Sequence, residues 1–305
     1  MGKILVAGLV NLETTVKIDS FPIPYFPVKY PFFGINTTIG GVGYNISKAL
    51  SVLGDNVDFL SIIGNDFIGK TIKERLKLDL IYDRYVVNSL KNTANSVILY
   101  DKKGRRQIYC DLKELQETVY PIEYFETAIK ECSMSILCNI NFCRPFLERA
   151  KKYKKDIATD IHVISDIKDE YNKDFMETAN ILFMSDEGLP CSPEEWAKKL
   201  INTYGTEIIV IGLGEKGVLL SVKKDNFIER ISAVKTREVV NTVGAGDALF
   251  SCFVHFYNRN KDPYDAIKKA IIFASYKIGS TNASDGFLTE KEVVKLYSEI
   301  YSEVR

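Results

Sequence analysis

Short apolar runs rich in β-branched residues alternate along this chain with stretches whose apolar positions recur every three to four residues. The runs at 4–10, 57–63, 134–139, 157–160, 181–184 and 207–211 are predicted strands. Between them, 41–53, 69–78, 144–153 and 194–202 are predicted helices; in the first, Ile46, Ala49, Leu50 and Leu53 share one face. A further strand is predicted at 218–222, and beyond Val243 the pattern is helical over 246–257, 263–278 and 289–303. Strands alternating with helices imply an α/β fold with a mainly parallel central sheet covered on both faces.

Two stretches break the rhythm. Residues 14–38 hold four prolines (Pro22, Pro24, Pro27, Pro31) and six aromatics (Phe21, Tyr25, Phe26, Tyr30, Phe32, Phe33). Residues 96–110 alternate around Asp101-Lys102-Lys103-Gly104, a hairpin turn signal. Both fit a small β-flap, spanning about 12–39 and 95–111, laid over the sheet edge. With no internal repeat and no low-complexity linker, residues 1–305 read as a single domain.

Composition narrows the function. Hydrophobic residues make up 46% of the chain, enough for a large core. Lys+Arg and Asp+Glu both number 40, so the chain lacks the net positive charge that drives binding to nucleic acid. The six cysteines form no Cys-x-x-Cys pair and sit mostly in apolar runs, as small core residues of a reducing compartment do. The histidines are His162 and His255 alone, so a zinc site is not expected. The N-terminal apolar run reads as a buried strand rather than a signal peptide, because no small-x-small cleavage site follows it closely. No apolar stretch reaches the roughly 18 residues of a membrane helix. A cytoplasmic protein without membrane association is expected.

Two glycine motifs invite misreading. Gly64-Asn65-Asp66-Phe67-Ile68-Gly69-Lys70-Thr71 matches the phosphate-loop pattern. Asp66 would set a carboxylate beside a polyphosphate, and Phe67 is bulky for a loop that must wrap closely around one. A strand-to-helix turn is the expected reading. Gly212-Leu213-Gly214-Glu215-Lys216-Gly217 matches the dinucleotide fingerprint, but a strand rather than a helix follows it, so no helix N-terminus awaits a pyrophosphate.

The residues that carry chemistry lie elsewhere. In Asn241-Thr242-Val243-Gly244-Ala245-Gly246-Asp247, small residues bring bare backbone N–H groups to the mouth of an apolar helix, an anion hole. Alone, Asp247 reads as a first-turn helix acid. Beside an anion hole it supplies the second half of a phosphoryl-transfer pair, an acceptor for a hydroxyl proton. Gly40-Gly41-Val42-Gly43-Tyr44-Asn45 lets a ligand approach backbone at a helix start, with Asn45 offering a donor and an acceptor. Asn11 and Glu13, near the end of the first predicted strand, share one strand face. A carboxylate with an amide suits paired sugar hydroxyls; solvent exposure and a plain glycine-rich helix start are the structural readings of these last two motifs.

The succession of Gly40-Gly41-x-Gly43-x-Asn45, Gly64-x-Asp66-x-x-Gly69 and Gly244-Ala245-Gly246-Asp247 resembles the ribokinase (PfkB-type) family of carbohydrate and nucleoside kinases over essentially the whole chain. The resemblance implies a Rossmann-like three-layer sandwich with a β-sheet lid, ATP with Mg²⁺, and often activation by a monovalent cation such as K⁺. It implies Asp247 as general base, with Gly244, Ala245 and Gly246 as anion hole. It places Gly40, Gly41, Asn45, Asn11 and Glu13 at the substrate, and Gly212, Gly214, Gly217, Asn241, Asp160 and Glu187 on the nucleotide side. No metal ligand is assigned. The family usually has Asp where Asn241 and Glu13 stand and Thr where Gly212 stands. Its Asn-x-x-Glu segment reads Ser185-Asp186-Glu187-Gly188 here. Asn241 also occurs in the pseudouridine kinase branch, a pointer toward a nucleoside.

The expected activity is transfer of the γ-phosphoryl of ATP to a hydroxymethyl group of a small sugar. A nucleoside kinase is the alternative, because the aromatics of 21–33 suit a nucleobase as well as a lid or a homodimer interface through the lid. A ligand-binding member without turnover and a phosphate-loop NTPase at 64–71 complete the set.

Overall fold

The computed structural model describes residues 2–302 apart from Lys103. The strands are β1 (Lys3–Ala7), β2 (Asn11–Lys17), β3 (Ile35–Gly40), β4 (Val57–Gly64), β5 (Tyr82–Leu90), β6 (Asn95–Tyr100), β7 (Arg106–Asp111), β8 (Cys132–Leu137), β9 (Asp156–Asp160), β10 (Ile181–Ser185), β11 (Ile208–Gly212), β12 (Val218–Val222) and β13 (Phe227–Ile231). The helices are α1 (Val42–Leu53), α2 (Phe67–Leu78), α3 (Ile122–Glu131), α4 (Arg144–Lys152), α5 (Lys173–Thr178), α6 (Pro193–Tyr204), α7 (Ala245–Asn260), α8 (Pro263–Lys277) and α9 (Glu290–Ser302).

A nine-stranded sheet runs in the order β13-β12-β11-β10-β9-β8-β1-β4-β5. It is parallel from β11 to β5, with β12 and β13 added antiparallel at one end. Alternate residues of β1 feed opposite cores. Ile4 and Val6 join the cluster holding Leu50, Ile72, Phe253 and Ile267, from α1, α2, α7 and α8. Leu5 and Ala7 join the cluster holding Phe125, Phe146, Phe175 and Trp196, from α3 to α6. The result is a three-layer sandwich, and it explains why these strands read as continuous apolar runs: all eight residues of β4 are buried.

A second sheet, ordered β3-β2-β6-β7, is mixed. Its β2–β3 and β6–β7 pairs are antiparallel, while β2 and β6 run parallel. It is built from the two stretches that interrupt the sequence pattern. The β6–β7 turn is held by Asp101, which accepts at Oδ1 from the Arg105 N–H across 3.0 Å; Lys103 of that predicted turn lies outside the described residues.

Some expectations need correction. The predicted strand over 4–10 ends at Ala7, and the chain crosses to the second sheet, where Asn11 opens β2. Asn11 and Glu13 therefore stand at the start of a small-sheet strand, not at the end of the first central one. The periodicity did not predict β5, β13, α3 or α5. Strands β5 and β13 lie at the sheet's two edges and mix exposed polar residues with apolar ones, which blurs the alternation. Glu303, the last residue of the predicted C-terminal helix, lies outside the described residues. Among the described residues no helix is long and apolar enough to cross a membrane.

Candidate active site

Helix α7 starts at a turn with no room for a side chain at Gly244. Gly244 caps it with φ 78°, a left-handed conformation that favours glycine, and a Cβ there would lie 2.5 Å from the Ala283 carbonyl oxygen. Asn241 fixes the approach to this turn. Its Oδ1 accepts from the Val243 N–H at 2.9 Å, and its Nδ2 donates to the Thr281 carbonyl at 2.9 Å. Within the turn the Ala245 N–H donates to the Thr242 carbonyl. Gly246 and Asp247 carry first-turn N–H groups of the kind a helix leaves without intrahelical acceptors, so the helix start is receptive to an anion.

Asp247 is half-buried in the first turn of α7. Burial pushes its carboxyl above the ordinary Asp value; the hydrogen bond from Asn45 and the charges of His162 and Lys277 pull the other way, while Asp160 adds to the rise. The Asn45 bond is direct: Nδ2 donates to Asp247 Oδ2 at 2.7 Å. Asn45 sits one turn into α1, whose start is set by close backbone contacts. A Cβ on Gly41 (φ 96°) would lie 2.7 Å from the Leu9 carbonyl oxygen, and one on Gly43 would lie 2.6 Å from the carbonyl carbon of Gly8.

The small sheet brings its own residues to this point. Gly40 ends β3 opposite Asn11 of β2, and a Cβ on Gly40 would lie 3.0 Å from Glu13 Oε2. Asn11 donates through Nδ2 to Ser96 Oγ at 3.0 Å. Asn11 Oδ1, Glu13 Oε1 and Asn45 Oδ1 are buried acceptors without a protein partner. Buried acceptors are ordinarily satisfied, so these three could accept from a ligand's donors. Burial, with help from the Asp247 charge, pushes the Glu13 carboxyl up to about 7, against the opposing influence of Lys277.

The nucleotide-side candidates line the carboxyl edge of the central sheet. Asp160 ends β9; its Oδ1 accepts from the His162 N–H at 2.8 Å, and its Oδ2 would lie 3.9 Å from a Cβ on Gly246. Glu187 is exposed just after β10, and Gly212 ends β11, its carbonyl accepting from the Asp186 N–H at 2.9 Å. Gly214 (φ 60°) and Gly217 (φ 99°) shape the following loop, which runs directly into β12 as its sequence implied. The structure thus joins Asp247, Asn45, the glycine turns, Asn11, Glu13, Asn241 and Asp160 through contacts. Glu187 and Gly212 to Gly217 share the sheet edge only.

Sequence reasoning missed Lys277, the fully buried last residue of α8, whose Nζ donates to the Val243 carbonyl. Its signal was a charge closing the mostly apolar run 270–276, a pattern that also reads as a favourable helix C-terminal cation. The 64–71 motif is a capped turn. Asp66 accepts from the Gly69 N–H at 2.8 Å, from the Thr93 N–H at 2.8 Å and from Thr93 Oγ1 at 2.7 Å, filling the α2 start that a phosphate would need.

A doubly covered, mainly parallel sheet with an anion-receptive helix start and a carboxylate at its carboxyl edge defines a small-molecule phosphotransferase. The sequence profile of the pfkB family carbohydrate kinases matches residues 1–290. A deoxyribokinase of Salmonella typhi is 26% identical, with 90% of this chain and 92% of that protein covered. A nucleoside kinase of Methanocaldococcus jannaschii is 24% identical, with 90% and 89% covered. Among solved structures, a microbiome-derived acarbose kinase superposes with a TM-score of 0.87 at 22% identity, covering 97% of this chain and 99% of the other. A nucleoside kinase of Burkholderia thailandensis in complex with inosine superposes at 0.79 and 15% identity, covering 98% and 99%. The chain belongs to the pfkB family of carbohydrate kinases, and its reaction class is ATP-dependent phosphorylation of a sugar or nucleoside.

Proposed function

We propose that this chain moves the γ-phosphoryl of Mg²⁺-bound ATP onto a hydroxymethyl group of a small sugar. The observation that carries the sugar reading is the set of buried, unpartnered acceptors on Asn11, Glu13 and Asn45 beside Asp247. Several unpartnered acceptors near one carboxylate suit the several hydroxyl donors of a polyol.

In this reading Asn11, Glu13, Gly40, Gly41 and Asn45 hold the sugar. Asp247 accepts the hydroxymethyl proton as that oxygen bonds to the γ-phosphorus in line and the bond to the β-phosphate oxygen breaks, releasing ADP. Gly244, Ala245 and Gly246 form the anion hole, with the Gly246 N–H toward the charge on the transferred group and the Ala245 N–H holding the turn through the Thr242 carbonyl. The transition state is loose, so positioning and electrostatics outweigh base strength. Gly212, Gly214 and Gly217 take the nucleotide side, with Asn241 supporting the turn. Among the described residues no cluster of three or more His, Cys, Asp or Glu side chains is arranged for a metal. Asp160 and Glu187 would face a Mg²⁺ carried with the nucleotide, which would neutralise charge on the phosphates.

The small sheet acts as the lid, formed by about 12–39 and 95–111 on a single kinase domain spanning 1–305. Its strongly exposed Tyr25, Tyr30, Phe32 and Phe33 support a homodimer through the lid. A cytoplasmic enzyme is proposed, its six cysteines all being free thiols. A nucleoside is the second reading, favoured by Asn241 and by those same aromatics, which offer stacking surfaces. ADP release measured over pentoses, hexoses and nucleosides tests both. Turnover on a sugar alone supports the first reading, turnover on a nucleoside alone the second. ADP bound without turnover on any compound overturns both in favour of a binding protein.

A further inference from the structure

Lys277 has no surface exposed to solvent, and its ammonium meets a backbone carbonyl rather than a carboxylate. Burying an ammonium without a paired acid is unfavourable, so the group is retained against a cost. The carbonyl it meets is that of Val243, the residue before the Gly244 turn. Burial lowers its pKa to about 8, while the charges of Asp247, Glu13 and Asp285 hold it up against that of Arg237; the ammonium form therefore prevails at neutral pH.

Two carbonyls beside this turn already accept from side chains, Val243 from Lys277 Nζ and Thr281 from Asn241 Nδ2, and the Ala283 carbonyl lies close against Gly244. A bare monovalent cation there would need carbonyl or carboxylate oxygens. Asn241 supplies no charge, and its amide is already oriented by two bonds, the oxygen accepting from Val243 and the nitrogen donating to Thr281. The residues present do not fit K⁺.

We propose that the Lys277 ammonium stands in for a monovalent cation, holding the Val243–Gly244 peptide beneath the phosphate-binding turn and freeing nucleotide binding from any requirement for K⁺. Lys277 is a positioning residue; it acts through the turn. The proposal rests on the kinase reading above.

The test is calorimetric titration of ADP with Mg²⁺ in potassium, sodium and tetramethylammonium chloride at equal ionic strength. The native protein is expected to bind ADP equally in all three, within about twofold. Lys277→Met is expected to weaken binding roughly tenfold or more, the scale of a lost charge-assisted hydrogen bond. Lys277→Met with Asn241→Asp, which restores an anionic ligand and opens space, is expected to recover affinity in potassium and not in tetramethylammonium. That switch in cation dependence is not something a merely structural role would produce. A native protein whose ADP affinity rises about tenfold with K⁺ overturns the proposal while leaving the kinase reading intact, and this arm needs no variant to fold. A Lys277→Met protein that binds like the native one overturns it equally. Absence of ADP binding in every salt overturns the kinase reading, and the proposal falls with it.

Discussion

The side-chain amide of Asn45, one turn into α1, donates to the Asp247 carboxylate, in the first turn of α7, across 2.7 Å. One bond therefore couples the helix start assigned to the substrate with the helix start assigned to the transferred phosphoryl. It orients the carboxylate and stabilises its charged form, the form a general base needs.

In the proposed mechanism, replacing Asp247 removes the proton acceptor and leaves the turn. Asp247→Ala is expected to lower kcat about 10²–10⁴-fold, the usual share of a positioned base, with ADP affinity little changed. Steady-state kinetics beside an ADP titration check it, and a kcat close to native would remove Asp247 from the role.

Changing Asn45 should act on the pH profile. Burial already raises the Asp247 pKa, and the Asn45 hydrogen bond is the largest effect opposing that rise. Asn45→Ala should let the pKa climb, and Asn45→Asp should raise it more by setting a like charge beside it. The acid limb of kcat/KM then moves to higher pH in the order native, Ala, Asp. An unmoved limb would mean that another group governs it.

Glu13 makes a stability prediction whose sign is fixed. Its native pKa lies near 7 against an ordinary 4.5, so across that interval the folded protein holds more protons than the unfolded chain. Stability falls as pH rises through the window and levels off above it. Glu13→Gln abolishes this term. It should stabilise the ligand-free protein at mildly alkaline pH by up to about 3 kcal/mol while raising KM for the substrate. Denaturant melts on both sides of the window provide the measurement.

Gly244→Ala should be damaging. The position needs φ 78°, and the added carbon would meet a backbone carbonyl oxygen at 2.5 Å. Backbone strain of about 1–3 kcal/mol in a turn that cannot relax should lower Tm and abolish most ADP binding. By contrast, Lys70→Ala should leave turnover near native, because Asp66 already fills the α2 start. Loss of activity in that variant would revive the phosphate-loop reading.

Most central strands were legible because strands buried on both faces are apolar throughout, as β4 is. The Gly244 turn was legible because glycine, alanine and a following acid before an apolar helix form a local motif with a local reason. Strand β5 was hidden because an edge strand exposes polar residues irregularly. The placement of Asn11 was misjudged because a single apolar run covers the end of β1 and the crossing into β2; nothing in Gly8-Leu9-Val10 announces a change of sheet. Lys277 was invisible for a different reason. Its significance lies in a contact with Val243, in the turn before a different helix, and only the fold brings the two together.

The contact between Gly8 and Gly43 bears on how such an enzyme can be retuned. With a Cβ on Gly43 falling 2.6 Å from Gly8 carbon, main chain lies directly on main chain between the end of β1 and the first turn of α1. The anchor point of Asn45 is thus fixed by peptide against peptide, with no side chain in between to trim or enlarge. At the proposed substrate site, preference is therefore best altered from the strands bearing Asn11, Glu13 and Ser96, while the helix bearing Asn45 stays fixed by its backbone contact.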